Sequence, residues 1–432
     1  MVKIAVIGAC SRSFGMGMIN DILLEDRLNG SCTTEVVLVD VDAERLARML
    51  QLARQCARLA KSSVSFSATT DRSEALQGAD FVLVSVAVHR MQLWEQDFRV
   101  PLSLGVKHVL GENGGPGAAF HALRSLKIIM PICSDIKRYC PNAMLLNFTN
   151  PEARVLTAIL TLTDIRAIGL CHGFHDAFVT VSRILQRPLE ELDIRTAGMN
   201  HLFAVYRLAE HATRRDLMPE LHDRIQSDPT CLQPLTRHLY ETFGVLGMNS
   251  DDHIGEYLPA AHEFVGLRWP YGIERRPVAA GGELPADLFE QYLLGARPVD
   301  QALVRPSGEI AAAIIGDIVC NSRSWRPAVN VLNTGGLIGN LDHDACVEVP
   351  AIAGSGGIEP EAVGDLPHGF AALIRRQHDV IKLLVEAYRC SSRRLLKQAL
   401  LLDPLVQTDS QATKLIDIMF KLQAEFLPEF GE

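Results

Sequence analysis

Lys3-Ile4-Ala5-Val6-Ile7-Gly8-Ala9-Cys10-Ser11, followed by Glu35-Val36-Val37-Leu38-Val39-Asp40, is the stretch whose reading decides the fold. Both parts are short, nearly unbroken apolar runs, the pattern of strands buried on both faces of a parallel sheet. Between them the Gly8 turn leads into a helix running through Met16 to Leu24, so the unit reads strand–turn–helix–strand and ends in an acid. A glycine turn lets backbone N–H groups approach a pyrophosphate at a helix N-terminus, where the dipole favours negative charge. Gly8, Cys10 and Ser11 are therefore the candidate phosphate contacts. Asp40 stands where an acid would hold both ribose hydroxyls, which favours NAD over NADP. Cys10 and Ser13 occupy positions where second and third glycines are usual. The competing reading is a turn without a ligand, with Asp40 a solvated strand end.

Further strands follow at residues 80–86, 143–148, 166–170 and 194–199, with helices at 43–59 and 118–140. The alternation predicts an α/β fold: a Rossmann-like dinucleotide-binding domain first, then a mixed α+β domain for substrate and metal. Gly111-Glu112-Asn113-Gly114-Gly115-Pro116-Gly117 holds four glycines in seven residues, a density that marks close backbone approach and favours ligand contact. Asn147 and Asn150-Pro151 end a strand abruptly, and their amides suit sugar hydroxyls or a nicotinamide ribose as well as plain turns. Cys171 and His201 each follow a strand, at the position where α/β folds place their chemistry. A thiolate and an imidazole suit a borderline-soft divalent metal. A small core cysteine and a satisfied histidine are the bland alternative. Past His201 the alternation loosens. Residues 207–226, 234–243, 307–319 and 369–401 read as helices, and 329–332 as a strand. Asp251-Asp252-His253, just before Glu256-Tyr257, is either an exposed acidic loop or part of the site.

At 432 residues the chain exceeds one ordinary core, and we divide it into residues 1–198 and 199–432. A net charge of −9 argues against nucleic acid or an anionic membrane as partner. The first apolar run is only a strand long, with no secretion signal, and nothing approaches bilayer-spanning length. Ten scattered cysteines without a CxxC pair suit a reducing cytoplasm.

In order, segments 3–8, 36–42, 147–151, 169–173, 198–201, 255–259, 305–309 and 330–348 resemble the NAD- and metal-dependent family 4 glycoside hydrolases. Within that family the loop at 111–117 looks most like members acting on α-galacturonides. The family is an exception to the two-carboxylate scheme of glycoside hydrolysis. The resemblance implies a redox-elimination route: oxidation at sugar C3 by NAD, loss of the C2 proton, elimination of the C1 substituent, water addition and re-reduction. It implies Cys171 and His201 as ligands of a divalent metal, typically Mn²⁺, and Tyr257 as the base. It places Asn150, Asn113 and Arg305 around the substrate and Asn147 beside the cofactor. Some members carry Asp after the metal-binding Cys as the leaving group's acid. His172 stands there here, so that role falls to His172 or to the cluster containing Asp252. The implied partner is a small-molecule glycoside, and such enzymes self-associate as dimers or tetramers. The rival readings are an NAD-dependent 2-hydroxyacid dehydrogenase and a non-catalytic NAD-binding regulator.

Overall fold

Six strands in the first half of the chain pair in parallel: β1 (Val2–Ile7), β2 (Thr34–Val39), β3 (Ser65–Thr69), β4 (Phe81–Val84), β5 (Met144–Asn147) and β6 (Arg166–Gly169). The computed structural model describes residues 1–12, 14–271 and 286–431. Ser13, named above beside Cys10, lies outside the described residues. The six strands lie in the order β3-β2-β1-β4-β5-β6, the Rossmann arrangement. Alternate residues of each strand feed two cores. Ala5, Ile7, Val37, Val82 and Leu145 pack on one face, and Ile4, Val6, Val36, Leu83 and Leu146 on the other. That two-sided burial is why these strands read as unbroken apolar runs.

The sheet then continues in antiparallel fashion. Strand β9 (Ser324–Leu332) joins β6, followed by β10 (Cys346–Gly354), β7 (Leu192–Met199) and β8 (Leu202–Glu210). Strand β11 (Gly357–Pro360) pairs with β10. The division at residue 198 therefore falls inside β7, within an unbroken sheet. A third core joins helices Gly115–Tyr139, His368–Cys390, Arg393–Leu402 and Asp409–Leu422 through Phe120, Leu123, Leu384, Leu396 and Leu415. No helix among the described residues is long and apolar enough to cross a membrane.

The first turn is longer than expected. Gly8 has φ +83°, and a Cβ there would lie 2.0 Å from the Ser85 carbonyl oxygen. The helix begins at Gly15, where a Cβ would meet the Ala9 carbonyl oxygen at 2.1 Å. Gly15 thus allows the close helix–strand approach that a third glycine was expected to provide.

Two helix readings need correction. Residues 207–210 belong to β8, whose pairing with β7 runs from Met199↔Leu202 to Leu192↔Glu210, and only Met218–Ser227 is helical. The span 369–401 is two helices, broken where Ser391 turns left-handed (φ +50°) and the Ser392 side chain accepts from the Leu395 N–H.

The glycine-rich loop does come close to something, but the partner is internal. The backbone N–H groups of Glu112, Asn113 and Gly114 donate to Glu256 Oε2 at 2.6, 2.6 and 3.0 Å. A Cβ on Gly114 would sit 2.6 Å from the Glu256 carbonyl oxygen. The loop amides are spent on a carboxylate of the chain itself. Glu256→Leu leaves three buried donors unpaired, at about 1–3 kcal/mol each, so we expect a loss of about 3 kcal/mol or more in urea unfolding. Glu256→Gln keeps an acceptor and should recover most of it. An unchanged midpoint for the leucine variant would show that the loop does not depend on this contact.

Candidate functional site

Cys171 lies two residues beyond β6, at the carboxyl end of the parallel sheet. His201 is one of the two residues, Asn200 and His201, that turn β7 into β8. It holds φ +65°, a conformation few non-glycine residues adopt. The hairpin carries it across so that Nε2 lies 3.5 Å from Cys171 Sγ. The Tyr257 hydroxyl donates to the Asn200 carbonyl oxygen at 3.3 Å, which sets the phenol against the same turn. Cys171, His201 and Tyr257, far apart in sequence, are brought together.

His172 is exposed, and its Nδ1 lies 2.7 Å from Glu309 Oε1, a buried carboxylate on the segment before helix Ala311–Cys320. Asp252 reaches the pair through His253. Its Oδ1 is 3.0 Å from His253 Nδ1, and the His253 ring packs edge-on to His201 with centroids 5.0 Å apart. Asp251 faces away, accepting from the Leu235 and Thr236 N–H groups that open helix Pro234–Phe243.

Asn147 lies in register with Gly169. Its side chain closes a local turn, donating to the Thr149 carbonyl oxygen at 3.2 Å and accepting from the Thr149 N–H at 3.1 Å. Asn150 is half-buried, and its carbonyl oxygen accepts from Ser125. Asn113 is buried. Its Oδ1 accepts from the Glu152 N–H, and its Nδ2 has no hydrogen-bond partner among the described residues. Arg305 Nε is likewise buried without one. At the same carboxyl end of the parallel strands, beyond β1 and β2, the Cys10 and Val41 N–H groups donate to Asp40 at 2.9 and 2.8 Å. Arg12 and Arg45 beside it both pair with Glu290, at 3.1 and 2.8 Å.

Behind the Cys–His pair lies a buried polar layer that the sequence reading assigned no role. Glu348 accepts from Asn200 and Asn330, and Glu152 has no partner among the described residues for either carboxylate oxygen. Burial pushes the Glu348 carboxyl up to about 7. Burial and then the charge of Glu348 push Glu152 well above the usual carboxylate range. Burial lowers His201 to about 3, so its imidazole is neutral. Burial, then Glu348 and Glu309, raise the Cys171 thiol. Burial, then Glu256, raise the Tyr257 phenol, against an opposing pull from Arg154. No short-range signal marked Glu348, Asn330 or Glu309, because their partners lie far away in sequence.

The pair fits a divalent ion. Two ligands at tetrahedral angles on a zinc-sized ion sit about 3.6 Å apart, given zinc–sulfur and zinc–nitrogen distances of about 2.3 and 2.1 Å. The neutral imidazole is the ligating form, and a metal would favour the thiolate that burial disfavours. Gly173 lets Met248 pack close beside the pair: a Cβ there would lie 2.7 Å from Met248 Cε and 3.6 Å from both Cys171 Sγ and His201 Cδ2.

Residues 3–187 match the family model described as family 4 glycosyl hydrolase, and residues 196–406 match the family 4 glycosyl hydrolase C-terminal domain. The chain is 30% identical to an alpha-glucosidase of Erwinia rhapontici over 469 residues, covering 98% of each chain. It is 29% identical to an alpha-galactosidase of Bacillus subtilis (strain 168) over 442 residues, covering all of both. Among solved structures, a 6-phospho-alpha-glucosidase from gut microorganisms, in complex with NAD and Mn²⁺, superposes over the full length of both chains with a TM-score of 0.82 at 25% identity. With family models matching it almost end to end, the chain belongs to the family 4 glycosyl hydrolases.

Proposed function

We propose that the chain cleaves an α-glycoside by oxidation, elimination, water addition and re-reduction. The observation that carries this reading is the Tyr257 phenol seated on the turn that brings His201 to Cys171. The first half of the chain, to residue 198, would hold the dinucleotide, and the second would supply most of the substrate wall. NAD would supply reversible hydride exchange at sugar C3, and a divalent ion such as Mn²⁺ held by Cys171 and His201 would supply Lewis-acid polarisation of the substrate.

The chain's own residues do the rest. Cys171 and His201 would hold the ion. Tyr257 takes the C2 proton, and its raised phenol makes a nearby cation necessary for it to act as a base at neutral pH. His172, oriented by Glu309, hands a proton to the leaving oxygen as the C1–O bond breaks, with Asp252 acting at one remove through His253. Asn150, Asn113 and Arg305 offer amide and guanidinium groups to sugar hydroxyls, with unspent donors on Asn113 and Arg305 supporting that role. Gly8, Cys10 and Ser11 face the pyrophosphate, Asp40 the ribose, and the Asn147 turn the nicotinamide end.

The alpha-glucosidase and alpha-galactosidase names of the relatives support an α-linked sugar. We propose a cytoplasmic protein, supported by ten free cysteines. We propose a homo-oligomer, supported by exposed Leu401, Ile418 and Leu422 on neighbouring C-terminal helices. The net charge of −9 supports a small-molecule partner over nucleic acid.

Calorimetry should show NAD binding more tightly than NADP, because Asp40 repels a 2′-phosphate while Glu290 already occupies Arg12 and Arg45. NADP binding as tightly would remove Asp40 from the ribose role. Cys171→Ser should lower Mn²⁺ affinity at least ~100-fold with NAD affinity unchanged. Unaltered Mn²⁺ binding would move the metal elsewhere. Turnover in D₂O should place deuterium at C2 of the product with no net NADH, whereas a hydroxyacid dehydrogenase would accumulate NADH. Tyr257→Phe should lose ~10²–10⁴-fold in rate while retaining NAD and Mn²⁺. Product without C2 deuterium would end the elimination reading.

A further inference from the structure

Cys171 and His201 hang on strands that barely touch through the backbone. Strand β6 meets β9 at the single register pair Gly169↔Asn330, and β10 meets β7 at the single pair Glu348↔Gly198. Single bridges fix a spacing poorly. The Glu348 side chain lies where the two joins converge. Its Oε2 accepts from Asn200 Nδ2 at 3.4 Å and from Asn330 Nδ2 at 3.3 Å. Asn330 Nδ2 also donates to the Gly169 carbonyl oxygen at 3.3 Å. One arm thus ends on the residue before His201, and the other two residues before Cys171. Glu348, Asn200 and Asn330 are each 1% exposed, so water does not compete for these bonds. The same Asn200 carries the carbonyl oxygen that Tyr257 contacts.

We propose that Glu348 is a positioning residue, fixing the separation of Cys171 Sγ and His201 Nε2 through Asn200 and Asn330 and so setting the affinity of the pair for a divalent cation. The proposal rests on the reading that these two side chains hold the ion. Groups behind metal ligands set ligand orientation and typically change metal affinity about 10–100-fold when removed.

The test titrates Co²⁺ into the chelator-treated full-length protein, following affinity by calorimetry and the thiolate-to-cobalt charge-transfer band in the near ultraviolet. Glu348→Leu should bind Co²⁺ about 10–100-fold more weakly, with the band shifted or lost, while NAD affinity is unchanged. Glu348→Gln keeps one oxygen able to accept from both asparagines and should restore affinity to within a few-fold of the parent, taking the same range as the measure of loss. A rescue of this kind separates positioning from general packing. If Glu348→Leu does not fold, Asn330→Leu cuts the Gly169 arm alone and should move both readouts in the same direction. Unchanged affinity and band in whichever variant folds overturn the proposal. A parent protein without the band, or a Cys171→Ser variant that keeps it, overturns the Cys171 site and the proposal together. A band lost in Cys171→Ser but intact in Glu348→Leu overturns the positioning role alone.

Discussion

The structure depends on how the open edge of the parallel half is covered. Strand β6 would end the Rossmann arrangement with unpaired N–H and C=O groups, an edge that folded proteins must pair, cover or blunt. Strand β9 pairs with it in antiparallel fashion and brings β10, β7 and β8 behind it. Ligands in open α/β sheets bind beyond the carboxyl ends of the strands. The added strands alternate in direction, β9 and β7 against β6 and β10 and β8 with it, and the turn from β7 to β8 carries the His201 ring to 3.5 Å from Cys171 Sγ. Cys171 and His201 meet because these strands cover that edge.

The closure carries a cost concentrated at one place. Glu152, Arg154, Asn200, Asn330 and Glu348 are nearly inaccessible, and each has a polar atom without a partner among the described residues. Burial drives Cys171, Tyr257 and Glu152 toward their neutral forms. A cation among them favours the charged forms of all three, so cation binding and proton release are thermodynamically one event. Unpartnered buried polar atoms also occur singly, as on Asn20, His108 and Asp403, but here they gather on neighbouring residues, as expected where stability is exchanged for chemistry.

Strands β1, β2, β4 and β5 were legible because burial on both faces leaves an unbroken apolar run. Cys171 and His201 were legible because each follows such a run. The glycine density at 111–117 correctly signalled a close approach but does not identify what approaches, and Glu256 lies about 140 residues away. Arg207-Leu208-Ala209-Glu210 was misread because its polar residues belong to a strand end, where Arg207 meets Asp193. The break at Ser391-Ser392 was missed, because the long periodic run of 369–401 reads as one helix. Glu348 had no such mark: its meaning comes from Asn200, 148 positions earlier, and Asn330, 18 positions earlier.

The two-residue turn at Asn200 and His201 also limits how this family member can change its length. Strand side chains alternate faces, so one residue inserted between Gly198 and Leu202 would turn the imidazole away from Cys171 or invert every β8 side chain relative to the core. The register Gly198↔Phe203 is packed so tightly that a Cβ on Gly198 would lie 2.5 Å from Phe203 Cα, and the register shift in this pairing falls farther from the turn, between Arg195 and Thr196. A change of length is therefore costly at the turn itself and better tolerated at residues 211–216 and 228–230, which are exposed and connect elements without fixing a ligand. The turn acts as a ruler of fixed length between the two side chains.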